Sequence, residues 1–577
     1  MSAIAADHNG NLEEKLIGVI RDRVLSLDSS FGKNDDLYAA GLDSMAIMQL
    51  LLAVEEEFGV SLPVESVSRR NLSSVASLAT LLREKLQPKE KGGPAAPSAA
   101  ESEAVAPSLS KSSEPASVVA EAGSSARAAE AFKYLPMQGA DYFVLSFDNL
   151  SRKTGQGGHK AHSVLILDRL PDVSRLKEIL SRSSEMFPMF SALLRRNWFL
   201  GIPFWLPSRR PVPPEIFFYS QAGSARSLSS YGAESFTDTH ELMERITNSP
   251  MPARGAAAWP KARFSLLELK DGSAVFIFSW SHLMLDGVGA ELLLQEIEKM
   301  GGGGKSEVPA VRFAAPKRAA QLGESWQKAR PVVDFFRDLS RTPVTCLGSR
   351  RPVPGKTHFL VRELTAEQTR AANSRCTALC GDLVSMPFYL ACAMRAHAAV
   401  FALRGAPPPS QTCSVPVQTR RKGMRGPLFQ NHITMFFGVL PREDTESIER
   451  ATSALMDQHS RFLKERMGES LDELMHLMSF IPPSLYMGFM KLQMRGPFAS
   501  FFHSHTGEFA PGLDFFFGAP IKSAFHVPGI GTPPGTGIFC NEKNGRLVVT
   551  LCWHEAALDE TERRVLLGSF LADLGVA

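Results

Sequence analysis

Apolar positions in the first 86 residues recur at helical spacing. Leu16, Ile17, Ile20, Val24 and Leu25 fall on one face of a first helix, and Val75, Leu78, Leu81 and Leu82 on one face of a last one. Between them, Gly41-Leu42-Asp43-Ser44 opens into an amphipathic helix whose apolar face continues through Leu50, Leu51, Val54 and Phe58. The pattern then stops. Residues 87–130 are mostly Ala, Ser, Pro, Glu and Lys with almost no large apolar side chains, the composition of a flexible linker. A coil of about 43 residues reaches roughly 35–40 Å. Such a tether raises the effective concentration of its cargo toward the millimolar range.

From residue 131 onward, strand and helix patterns alternate. His162 to Leu167 reads as a strand and Val173 to Phe190 as a helix; Ala262 to Leu269 and Ala274 to Ser279 read as neighbouring strands. The run Ala274-Val275-Phe276-Ile277-Phe278 has no polar interruption, as expected of a strand buried on both faces. It leads into Ser279-Trp280-Ser281-His282-Leu283-Met284-Leu285-Asp286-Gly287, after which Leu292, Leu293, Leu294 and Ile297 lie at helical spacing. His282 therefore sits at a strand-to-helix turn, where the backbone is fixed and the side chain can face a cleft. Gly301 to Gly304 marks a turn, and a Pro- and Lys-punctuated segment to about Pro343 reads as a crossover to a second α/β half beginning near Thr357. A hairpin around Glu542-Lys543-Asn544-Gly545 closes that half.

Length and composition narrow the classes of function. A chain of 577 residues, 44% hydrophobic and 21% charged, is expected to form two to four globular domains. Its net charge of +3, from 63 basic and 60 acidic residues, gives neither the footprint of a nucleic-acid binder nor a polybasic membrane patch. Seven scattered cysteines without C-x-x-C pairs suggest reduced thiols, not a disulfide framework or a zinc site. His503-Ser504-His505 and His159-Lys160-Ala161-His162 lack a third ligand, so no metal is expected. Gly287-Val288-Gly289 lacks the third glycine of a dinucleotide site. The N-terminus has no signal-peptide pattern. Pro387 to Leu403, carrying Arg395 and His397, reads as a buried helix and not as a membrane span. The expected location is the cytoplasm.

The Gly41-Leu42-Asp43-Ser44 loop and its helix, with Glu55-Glu56-Glu57-Phe58-Gly59-Val60 behind it, resemble the attachment site of acyl and peptidyl carrier proteins. The resemblance implies a small four-helix carrier domain over residues 1–86, with Ser44 bearing covalent 4'-phosphopantetheine installed by a phosphopantetheinyl transferase. A phosphodiester at the first turn of a helix would meet free N–H groups and the positive end of the helix dipole. Capping of that helix by Ser44 or Asp43 is compatible with the same role.

Ser281-His282-x-x-x-Asp286-Gly287 resembles the H-H-x-x-x-D-G motif of chloramphenicol acetyltransferase, condensation domains and wax ester synthases, with serine in place of the first histidine. The resemblance implies a large α/β acyltransferase of two chloramphenicol acetyltransferase-like halves, 131–320 and 321–577. His282 would be its general base, and Asp286 and Gly287 would give structural support. On the motif alone, a core histidine capping the turn is as good a reading. Val415-Pro416-Val417-Gln418-Thr419-Arg420 is similar to a strand of this superfamily whose arginine pairs with the motif aspartate, implying an Asp286–Arg420 pair. Gly426-Pro427-Leu428-Phe429-Gln430-Asn431-His432 is similar to a following G-N motif. Asn431 is a candidate for substrate contact or oxyanion stabilisation, with a buried amide bonded to backbone as the alternative. Asp514-Phe515-Phe516-Phe517-Gly518 resembles the D-F-G-W-G segment that shapes the cleft in condensation domains. The methionine-rich stretch Leu471 to Met494 reads as core or as the wall of an apolar acyl pocket.

Together these resemblances imply an acyltransferase moving an acyl group from a carrier thioester to a hydroxyl or amine. The product would be an ester or amide in natural-product or lipid biosynthesis, with other biosynthetic enzymes or carrier proteins as further partners. The alternative is an inactive condensation-like platform on which such partners dock.

Overall fold

The computed structural model describes residues 12–25, 27–28, 30–40, 42, 44–60, 62, 70–86, 135–196, 201–252, 259–306, 308, 322–382, 384–420, 424, 426–494 and 496–576. The expected linker, residues 87–130, lies outside the described residues.

The N-terminal domain contributes helices α1 (Leu12–Arg23), α2 (Ser44–Phe58) and α3 (Val75–Leu86). Leu16 and Ile20 from α1, Leu50 and Val54 from α2, and Val75, Leu78 and Leu82 from α3 are all buried in one cluster, each set spaced by three or four residues. Arg83 clamps Glu13 across α1 and α3 at 2.8 Å. Gly41, Asp43 and residues 63–69 lie outside the described residues, and the fourth expected helix has no counterpart among those described.

The first half of the large domain runs β1 (Leu135–Pro136), α4 (Gly139–Lys153), β2 (Lys160–Leu167), α5 (Val173–Met186), β3 (Leu193–Arg195), β4 (Phe204–Leu206), β5 (Glu215–Gln221), β6 (Glu234–Phe236), α6 (Thr239–Asn248), β7 (Ala262–Glu268), β8 (Ala274–Ser281) and α7 (Gly287–Gly301). Helix α8 (Leu322–Leu339) follows. The second half is β9 (Thr357–Glu363), α9 (Ala366–Cys380), α10 (Met386–Leu403), β10 (Ser410–Gln418), β11 (Ile433–Pro441), α11 (Ile448–Lys464), α12 (Met467–Met478), α13 (Pro483–Met494), β12 (Phe501–Glu508), β13 (Phe515–Phe516), β14 (Ala519–Pro528), β15 (Thr536–Lys543), β16 (Arg546–His554) and α14 (Glu560–Leu574).

Two sheets carry the site. One has the order β13-β14-β2-β8-β7-β5-β6 and the other β11-β10-β12-β15-β16-β9. All eight residues of β8 are buried, as its unbroken apolar run requires. Antiparallel pairing of β2 with β8 aligns Lys160 with Ser281, so the residues beyond the paired ends, His159 and His282, emerge side by side. In the second sheet the β10–β11 pair runs from Ser410↔Pro441 to Gln418↔Ile433, which brings Arg420 beside residues 430–432.

Three features depart from the sequence expectation. Residues 515–528 do not stay with the second half: β14 pairs antiparallel with β2, from Ile521↔Leu167 to Pro528↔Ala161, and extends the first sheet. The crossover contains a helix, α8, whose Ala329, Val332 and Phe336 are buried against the α12 side chains Leu471, Leu474 and Met475. Pro331 lies inside that helix and disguises it. Finally, α5 stops at Met186 because Pro188 opens a separate 3₁₀ turn. Helix α10 is long and apolar enough by composition to cross a membrane, and 67% of it is buried inside this domain.

The two domains touch. Val384 and Leu463 of the large domain join the leucine cluster of the N-terminal domain. Glu56 on α2 pairs both with Arg23 of its own domain and with Arg466 at the start of α12.

Candidate functional site

The turn between β8 and α7 is held from three sides. Trp280 Nε1 donates to the Leu285 carbonyl at 3.0 Å and fixes the loop from beneath. Asp286 is the N-cap of α7, its Oδ1 accepting from the Gly289 amide at 2.7 Å. From the second half, the Gln430 amide donates to the Met284 carbonyl at 2.8 Å.

Asp286 and Arg420 meet as an ion pair that is almost fully buried. Arg420 Nη1 lies 2.9 and 2.7 Å from the two carboxylate oxygens, while Nε donates to the Pro427 carbonyl at 2.8 Å. The His432 amide donates to Asp286 Oδ2 at 2.8 Å. Burial pushes the Asp286 pKa up, but the Arg420 charge and these hydrogen bonds together hold it below the usual carboxylate value. The pair therefore joins the two halves at the turn that bears His282.

The orientation of His282 is set by an amide. Asn431 Nδ2 faces two acceptors, Asp141 Oδ1 at 2.9 Å and the His282 carbonyl at 3.0 Å, so its Oδ1 must be the atom 2.9 Å from His282 Nδ1. An oxygen there can only accept, so Nδ1 carries the proton and Nε2 keeps its lone pair. No described residue hydrogen-bonds Nε2. Asp141 anchors the array: its carboxylate also accepts from the Asn431 amide at 2.7 Å, the Gln138 amide at 2.9 Å and Gln430 Nε2 at 3.1 Å. Burial raises the Asp141 pKa to about 6 against those donors, so at neutral pH it is ionised and accepts all four bonds. Burial also lowers the His282 pKa below its ordinary value, against the Asp286 charge and the Asn431 bond, which raise it. At neutral pH the ring is an uncharged base.

His282, Asp286, Gly287 and Arg420 line a largely apolar cavity of about 610 Å³ between the two halves. Ala46, two residues into α2 beyond Ser44, lines the same cavity. The first turn of α2 thus contributes to the wall of the cavity that His282 lines. Nothing is described of the Ser44 side chain. A smaller apolar pocket adjoins the cavity, walled by Leu471, Leu474, Met475, Met478 and Met490 and sharing Phe143, Met435 and Phe498 with it. The methionine-rich stretch supplies much of that wall.

Other expected residues divide between the cavity and its surroundings. The Asn431 amide is engaged by His282 and Asp141, and Asn431 is not among the residues that line the cavity. Gly287 lines the cavity, and a Cβ there would meet no atom within 4 Å, so packing does not require it. The close approach is at Gly289, where a Cβ would lie 2.4 Å from the Leu428 carbonyl. Gly289→Ala is expected to destabilise the fold by roughly 1–3 kcal/mol, measured by denaturant unfolding, whereas Gly287→Ala should leave stability unchanged. Phe516 and Phe517 pack in the core of the first half, with the Phe516 ring 4.6 Å from Phe276, and do not shape the cavity. The Ser281 hydroxyl is buried with no partner among the described residues. Sequence reasoning does not reach Asp141, which follows no motif, and reads His159 only as a candidate metal ligand lacking partners.

Comparison with known proteins defines the two parts. Residues 15–82 match the phosphopantetheine attachment site family. The chain is 38% identical over 55 residues to the aminoacyl carrier protein of Agrobacterium fabrum, covering 10% of this chain and 66% of that protein, about two thirds of its length. It is 32% identical over 80 residues to the acyl carrier protein of Rickettsia bellii, covering 13% of this chain and 85% of that one. Through its N-terminal domain, the chain belongs to the acyl carrier protein family. The carrier domain implies covalently attached 4'-phosphopantetheine and a phosphopantetheinyl transferase that installs it. The large domain resembles the first condensation domain of the calcium-dependent antibiotic synthetase, at 15% identity and TM-score 0.52 over 76% of this chain and 95% of that one. It also resembles the trichothecene 15-O-acetyltransferase of Fusarium sporotrichioides, at 13% identity and TM-score 0.54 over 76% and 95%. At this identity the likeness establishes the fold. A carrier domain joined to this fold supports a role in acyl transfer.

Proposed function

We propose that the chain is an acyltransferase that moves an acyl group from a thioester on its own carrier domain to an acceptor hydroxyl or amine. The observation that carries the reading is the His282 tautomer, with Nδ1–H tied to Asn431 and Nε2 left as the base in a cavity that Ala46 of the carrier domain also lines. Ser44, the first residue of α2, is the attachment site in this reading. When bound, 4'-phosphopantetheine supplies an activated acyl thioester, so a single base suffices and no nucleophilic serine is needed. His282 Nε2 takes the proton from the acceptor O–H or N–H as that atom attacks the carbonyl carbon, and returns it to the departing sulfur. Asn431 and Asp141 hold the ring in this tautomer throughout, and the Asp286–Arg420 pair keeps the turn in place. The docking of the carrier domain through Val384, Leu463 and the Glu56–Arg466 pair supports donation in cis. The apolar lining favours an apolar acyl group over a charged one.

The attachment site is tested by incubating the purified chain with coenzyme A and a phosphopantetheinyl transferase and measuring intact mass. The unaltered chain is expected to gain one phosphopantetheinyl group, and Ser44→Ala none. A mass gain in Ser44→Ala would place the attachment on another residue.

A further inference from the structure

His159 is a histidine for which the mechanism above has no use, yet it is built into the site with care. Its carbonyl accepts the His282 amide at 3.0 Å, and its own amide donates to Asp148 Oδ1 at 2.9 Å. Asp148 is fixed in turn by Arg152 at 2.9 Å. The preceding Gly158 has φ +102, and a Cβ there would lie 2.7 Å from Arg152 Nη2 and 2.9 Å from Asp148 Oδ1. Only glycine lets the backbone close onto that ion pair. The result is that the imidazoles of His159 and His282 stack with centroids 5.0 Å apart and planes within 16° of parallel. Both rings line the same cavity, and no described residue hydrogen-bonds either ring nitrogen of His159.

A neutral imidazole always carries one N–H. Burial, with the neighbouring His282, pushes the His159 pKa down to about 3, so the ring stays uncharged and does not protonate its neighbour's base. The reaction needs such a donor. Acceptor oxygen or nitrogen must sit about 3 Å from His282 Nε2, and the carbonyl carbon about 3–3.5 Å beyond, which puts the carbonyl oxygen on the order of 5 Å from the base. The His159 ring lines the cavity in which that oxygen would be held. Among the described residues, the N–H groups of Asn431 and Arg420 near His282 are engaged: Asn431 donates to Asp141 and the His282 carbonyl, and Arg420 to Asp286 and to the carbonyls of Pro427 and Leu428.

We propose that His159 is a second catalytic residue, whose ring N–H hydrogen-bonds the carbonyl oxygen of the reacting acyl group as negative charge develops there. It forms no covalent bond and exchanges no proton; its role is electrostatic. The proposal rests on His282 being the base.

The test uses the full phosphopantetheinylated, acyl-loaded chain and compares His159→Phe, which keeps a flat ring against His282, with His159→Gln, which keeps an N–H donor. Single-turnover acyl transfer is expected to fall about 10²–10³-fold in His159→Phe, with His159→Gln at least about tenfold faster than the phenylalanine variant. The KM for acceptor and the pH of the acid limb should be unchanged in both, since neither acceptor binding nor the base is altered. Melting temperatures of the variants separate loss of fold from loss of the donor. His159→Phe within about threefold of the unaltered chain, or His159→Gln as slow as His159→Phe in a folded protein, would overturn the proposal. His282→Ala run in parallel distinguishes the two readings: if it is slow while His159→Phe is fast, only the role of His159 fails; if it is as fast as the unaltered chain, the base assignment fails.

Discussion

His282→Ala is expected to slow acyl transfer about 10²–10⁴-fold, the usual contribution of a positioned general base. The loss should appear in kcat and in kcat/KM for acceptor alike, because the proton moves only as the new bond forms. The pH dependence carries a sign. A base must be neutral to act, and burial lowers the His282 pKa below its ordinary 6.5, so the rate should hold as pH falls through 6.5 and decline only below it. Asp141, with a pKa of about 6, begins to protonate in the same region and then can no longer accept all four of its hydrogen bonds, which loosens the array that holds Asn431. Both effects reduce the rate on the acid side. Asn431→Ala should therefore slow transfer while leaving acceptor KM in place, since its amide orients the base without touching substrate.

Arg420→Ala is expected to destabilise the large domain by about 3–5 kcal/mol, because it strands Asp286 as an uncompensated buried charge. The guanidinium and carboxylate side chains are 3% and 4% exposed, so water cannot replace the lost partner. Its Nε bond to the Pro427 carbonyl would be lost as well, loosening the loop that delivers Gln430 and Asn431. Arg420→Lys should recover only part of the loss, since a single ammonium cannot serve carboxylate and carbonyls in the same plane. Denaturant unfolding followed by tryptophan fluorescence reads the effect through the buried Trp280 beside the turn. A cost below about 1 kcal/mol would mean that the pair is solvated in solution.

Much of this architecture is legible where the determinants are local. The β8 run from Ala274 to Phe278 has one reading because apolar residues fill both faces, and the turn that follows places His282 without further information. The helix faces of the carrier domain are equally plain. The Gly-Leu-Asp-Ser loop resembles an attachment site as a unit, and residues 15–82 match the family that carries one. Non-local pairing is what the chain order hides. Nothing near residues 519–528 says that they will join β2, more than 350 positions earlier, instead of their own neighbours. Helix α8 was obscured by Pro331, whose cost is offset by burial of Val332 and Phe336. Asp141 reads as one more acid near a helix start, capping Gln138, and its importance comes from the three further donors that Gln430 and Asn431 of the second half bring to it. At Asn431 and Gly287 a motif names the segment, and packing decides the contacts within it: the close approach falls at Gly289, and the Asn431 amide bonds Asp141 and the His282 carbonyl, as its buried-amide alternative expects.

The most direct measurement follows the acyl group itself. The chain is phosphopantetheinylated, loaded with an apolar acyl group, freed of excess donor, mixed with alcohols or amines, and its intact mass is recorded over time. The account predicts that the acyl mass leaves the carrier domain in step with appearance of ester or amide, at a rate independent of protein concentration because donor and base share one chain, and that His282→Ala retains its acyl group. Acyl loss at equal rates with and without His282 would contradict it.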